Sequence, residues 1–94
     1  MIERHSTWND DELPLILHRL RDGGGGEAWF GMDEHGDGPG VQDPKALQDL
    51  LFKIGYAQRP RIIPETSVRE DDGRSFVRCV VREFRITDMP CFVP

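Results

Sequence analysis

The chain has 94 residues, of which 37% are hydrophobic and 31% charged, and a net charge of −5. This composition suits one small domain around a single core, and there is no run of about 18 apolar residues that could cross a bilayer. The charge is uneven: residues 1–44 carry three basic and ten acidic side chains, a balance of −7, and residues 45–94 carry nine basic and seven acidic, a balance of +2. Such asymmetry hints at charged partners. The opening residues lack the apolar stretch of a secretory signal, so the expected compartment is the cytoplasm, with Cys79 and Cys91 as reduced thiols.

A weak first strand is read over residues 1–5. Leu13, Ile16, Leu17 and Leu20 then recur at i, i+3, i+4 and i+7, the apolar stripe of an amphipathic helix. With Asp11 as N-cap, Pro14 becomes the third helical residue, where its missing N–H costs nothing. Gly23 is the expected left-handed stop. The glycines up to Gly26 form a junction, and residues 28–32, rich in aromatics, read as a strand. A glycine-rich loop follows over residues 33–41. Asp43 and Pro44 are an N-cap and first helical residue, and open a second helix with the stripe Leu47, Leu50, Leu51 and Ile54, closed by Gly55.

Pro60 and Pro64 keep the stretch between them extended. Asp71-Asp72-Gly73 is a hairpin-turn signal. Residues 74–87 match helical spacing at Val77, Val80, Val81 and Phe84. Their richness in Val, Ile, Phe and Thr after a hairpin turn instead indicates a long strand, bulged near Val80 and Val81. The apolar tail, residues 89–94, packs down or meets a partner. The fold class is thus α+β: two amphipathic helices packed on one face of a small, mainly antiparallel sheet.

Several candidate sites lack what their chemistry requires. The cluster Asp33, Glu34, His35, Asp37, Gly38 resembles a calcium loop at its first, fifth and sixth positions, which are Asp33, Asp37 and Gly38. It fails at the third, which is His35, and at the twelfth, which is Pro44 in place of a bidentate carboxylate. Cys79, Cys91, His5, His18 and His35 show no paired zinc spacing. The run Gly23–Gly26 precedes a strand, not a helix, and sits beside Glu27, which repels phosphate. No nucleophile elbow occurs. The expectation is therefore no metal, no cofactor and no catalytic residue.

Two binding surfaces remain. Arg74, Arg78 and Arg82 share one face of a regular strand with Phe76 and Phe84, and so suit phosphates and bases; the plain alternative is a solvated face whose arginines pair with Glu65, Glu70 or Glu83. The acidic first half, with Asp33, Glu34 and Asp37, suits a basic protein, anchored by whichever of Trp29, Phe30 and Trp8 is exposed. Because the whole chain is acidic, the first expectation is a small non-catalytic binding protein. It would be an inhibitor, antitoxin or phage-type blocker of a nucleic-acid-handling protein, or an accessory subunit, with a homodimer formed through an exposed strand edge. The alternatives are a nucleic-acid-binding domain using the arginine strand, and a small enzyme with a loop metal or cysteine site.

Overall fold

The computed structural model describes residues 2–5, 8–31 and 41–82. Six elements follow in chain order: β1 (Ile2–His5), α1 (Glu12–Asp22), β2 (Gly25–Phe30), α2 (Pro44–Ala57), β3 (Glu65–Asp71) and β4 (Arg74–Arg82). The strands form one mixed sheet in the order β1-β2-β4-β3. The weak first strand does form, and it lies parallel to β2 because α1 carries the chain back before β2 begins. The pairs β2–β4 and β3–β4 are antiparallel. The fold is therefore α+β.

Both helices bury the stripes their sequences announce. Leu13, Ile16, Leu17 and Leu20 of α1 are buried, as are Leu47 and Leu51 of α2, with Leu50 and Ile54 packed against them. They share one core cluster with Ala28 and Phe30 of β2, Val77, Cys79 and Val81 of β4, and Ile62. In the sheet, Ala28 lies opposite Cys79 and Phe30 opposite Val77, so the buried strand residues share one face.

The local signals differ from expectation in instructive ways. Asp11 makes no side-chain cap; instead Asn9 reaches forward, its Oδ1 accepting from the Glu12 amide at 2.9 Å. Gly23 ends α1 with ordinary negative φ, and the left-handed residue is Gly24, at φ +82°. Gly25 and Gly26 lie within β2, so the strand begins earlier than the aromatic run suggests. Asp43 does cap α2, accepting from the Ala46 amide at 3.2 Å, with Pro44 at the first turn.

Gly55 does not close α2, which continues to Ala57. The returning chain crosses the helix at this position: the Ile62 amide donates to the Gly55 carbonyl at 2.9 Å, and a Cβ here would collide with the Ile62 carbonyl. The hairpin turn is the two residues Asp72 and Gly73, both with positive φ, which matches the right-handed twist of the flanking strands. Register runs unbroken from Arg74 to Arg82, so there is no bulge at Val80 and Val81. The rest of the expected long strand, and the apolar tail with Cys91, lie outside the described residues. No described helix is long and apolar enough to cross a membrane.

Two outcomes are expected. Asn9→Ala should lower unfolding free energy by about 1 kcal/mol. Asp11→Ala, which removes only a charge at the helix start, should lower it by about 0.3 kcal/mol. Urea titration of both variants checks the order; equal losses would return the cap to Asp11. Burial pushes the Cys79 thiol up to about 12, so at pH 8 it stays protonated and unreactive. In a Cys91→Ala background, an alkylating reagent should label Cys79 only in denaturant. Labelling of the native protein at the rate of a free thiol would contradict its burial.

Candidate binding face

The sheet face opposite the core is read directly from the register. One row across it holds Arg4, Trp29, Arg78 and Ser67; the next holds Ile2, Glu27, Val80 and Glu65. Beyond these lie Arg82 at one end, and Phe76 with Arg69, then Arg74 with Asp71, at the other. Five arginines and three carboxylates occupy this face, a local balance of +2 in a chain of −5.

Trp29 is half-buried at the centre. The Arg69 guanidinium lies 5.3 Å from its ring centroid and that of Arg78 lies 6.0 Å away. A cation so placed is drawn to the negative ring face, which holds both arginines over the middle of the sheet. Phe76 meets β2 where Gly31 offers no side chain. A Cβ at Gly31 would run into the Phe76 ring, so this glycine makes the bed in which the ring lies. Glu27 accepts a hydrogen bond from Arg78, and Arg82 pairs with Glu65 at 2.7 Å. The Arg78 hydrogen bond holds the Glu27 carboxyl below its ordinary value, with smaller help from Trp29 and Arg69, so Glu27 is charged at neutral pH.

Arg74, Arg78 and Arg82 thus stand together on one face, as their spacing requires, and the fold adds Trp29, Arg69 and Arg4 to them. Phe30 is a correction to the set of anchors: it is fully buried on the opposite face, with the His5 ring stacked on it at 5.4 Å, and so supports the core. Trp8 is half-buried and packs against the core cluster. Asp33, Glu34 and Asp37 lie outside the described residues. Sequence reasoning missed the role of Glu27, which only the β2–β4 register brings to Arg78. A charged residue in alternation with Trp29 along an aromatic strand was the available signal.

A second concavity, of about 270 Å³, is lined by His5, Glu12, Leu15, Ile16 and Arg19. Arg19 is paired there with Glu3 at 2.8 Å, whereas His5 Nε2, 3.8 Å from the same oxygen, and the other Glu3 oxygen are buried without a hydrogen-bond partner. Among the described residues, no three His, Cys, Asp or Glu side chains converge as metal ligands would. No protein-family model matches the chain, and searches of curated proteins and of solved structures give no match either.

Because its pKa is depressed, Glu27 contributes stability that is fully present above about 4.5 and is lost as pH falls through the lower folded value. The melting temperature of the wild type should therefore decline more steeply below pH 4.5 than that of Glu27→Gln. Parallel declines in thermal melts would mean that the Glu27–Arg78 pair adds nothing to the fold.

Proposed function

We propose that this chain is a binding protein that engages an anionic macromolecule through the outer face of its sheet. The observation that carries this reading is Trp29 with the Arg69 and Arg78 guanidiniums over its ring at the middle of a face with five arginines. Aromatic and arginine side chains dominate binding energy at interfaces because they bury large area at small entropic cost and donate several hydrogen bonds in a fixed plane. Glycines favour the same use. Gly25 leaves the sheet surface low beside Arg82, and Gly31 lets Phe76 lie close to the backbone. The face is basic while the chain as a whole is acidic, which concentrates attraction for an anion on one side of the molecule.

The acidic-docking alternative rests on Asp33, Glu34 and Asp37, which lie outside the described residues. Among the described residues, exposed acids gather at two places: the start of α1, where Asp10, Asp11 and Glu12 also favour the helix through its dipole, and the β3–β4 turn, where Glu70, Asp71 and Asp72 are consecutive. The outer face therefore supports the anionic partner better.

The test is titration of the ¹⁵N-labelled full chain with heparin, used as a generic polyanion, at physiological salt. Resonance shifts are expected at the Trp29 indole and at the arginine side chains of β3 and β4. Arg78→Ala combined with Arg82→Ala should weaken binding by roughly tenfold, about 0.7 kcal/mol for each exposed contact. Shifts confined to α1 and α2, or none at all, would overturn the reading.

A further inference from the structure

The anion-binding face has features that a simple polyanion would not need, and they narrow the partner. Resting on the reading above, we propose that the face takes single-stranded nucleic acid. One base stacks on Trp29, the phosphates lie along the arginines of β4, and Glu27 competes with the phosphate for Arg78.

Three observations carry this. First, the aromatic residues sit on the two central strands. Trp29 of β2 lies opposite Arg78, and Phe76 of β4 is two residues from that partner, so the rings are diagonal neighbours across one strand pair. Flat rings on a sheet surface match the faces of bases. In a duplex those faces are hidden in the stack, leaving only phosphates and groove edges to be contacted. Trp29 is half-buried, with the Arg69 and Arg78 guanidiniums over its ring at 5.3 and 6.0 Å, and a stacking base takes their place on the ring as they turn to the phosphates.

Second, the cations form a line. Arg74, Arg78 and Arg82 recur every four residues on β4, about 13 Å apart, with Arg69 and Arg4 on either side of the aromatic centre. This is the combination by which unpaired strands are held without strong sequence preference: a charged track for the backbone and stacking positions beside it. An acidic protein segment would use the track but gain little from the rings.

Third, Arg78 is already bonded to a carboxylate. A phosphate must displace Glu27 to take the same guanidinium, as it must displace Glu65 at Arg82, so these carboxylates weaken binding and neutralising Glu27 should strengthen it. A purely structural ion pair predicts the opposite, because loss of the carboxylate would only loosen the sheet.

The experiment is fluorescence anisotropy of the full chain with a labelled single-stranded 12-mer of RNA and of DNA, the matching duplexes, and heparin as competitor. Single strands should bind at least about tenfold more tightly than the duplexes, since only they offer base faces. Trp29→Ala should lose roughly 5- to 150-fold, the range for one stacked base, while Trp29→Phe keeps most of the affinity. Glu27→Gln should gain about threefold from removal of one like charge. The salt slope separates the two contributions. Arg82→Ala should reduce it by about 0.7, one phosphate of a single strand, and Trp29→Ala should leave it unchanged. Circular dichroism of each variant shows that the fold is kept. If duplex and single strand bind equally, or if Trp29→Ala and Trp29→Phe both bind like wild type, the face is a polyanion site without stacking; this inference fails and the previous reading stands. The same holds if heparin maps to the face and no nucleic acid binds. If neither binds, both are wrong.

Discussion

Strand β4 lies between β2 and β3, and its period of two sorts its residues between two environments. Val77, Cys79 and Val81 point into the core, whereas Arg74, Phe76, Arg78, Val80 and Arg82 point the other way. The rest of the molecule depends on this register. A slip of one residue would place three arginines in the core and three apolar residues outside, and an unpaired buried charge costs several kcal/mol. Two local devices hold the register. The Asp72-Gly73 turn, with both residues at positive φ, sets β3 against β4. On the other side, the Phe76 ring fits only where Gly31 leaves space, which sets β2.

The helices position the core side of that sheet. α1 joins two parallel strands, and the Gly31 amide donates to the His5 carbonyl at 2.8 Å just past the β1–β2 ladder. The segment after α2 is stitched to both helices. Gln58 meets His18, the Pro60 carbonyl accepts from Arg21 at 3.5 Å, and Ile62 crosses at Gly55 before its side chain enters the core. With the core satisfied in this way, substitutions on the outer face change charge and stacking without opening a cavity. β3, at the sheet edge, carries Glu65, Arg69, Glu70 and Asp71 in seven residues. That density of charge discourages pairing with a second copy along this edge.

What was legible in the sequence was most of what depends on neighbours along the chain. Each helix stripe, the Asp43 and Pro44 start, the hairpin turn, the strand character of β4 and the shared face of its three arginines follow from spacing and backbone preference, because residues a few positions apart meet by geometry alone. Local reading erred by small steps where two polar residues compete for one role: Asn9, not Asp11, reaches the first free amide of α1. It also erred at Gly55, and it assigned Gly31 no role. Both glycines are required by a distant segment, the first by Ile62 and the second by Phe76.

The partition of the aromatics and the charge of the outer face were decided by the tertiary structure. Trp29 and Phe30 are adjacent and alike in composition. Only the pairing of β2 with β4 sends one to the arginines and the other to the core, since successive side chains of a strand face opposite ways and the core face is chosen by what packs on it. The same pairing brings Glu27, 51 residues away in the chain, onto Arg78, and Arg69 over Trp29. Net charge is a sum over the sequence, and an acidic sum gives no sign of a basic face. That face exists because β1, β3 and β4 bring five arginines to one side of the sheet, and three carboxylates come with them.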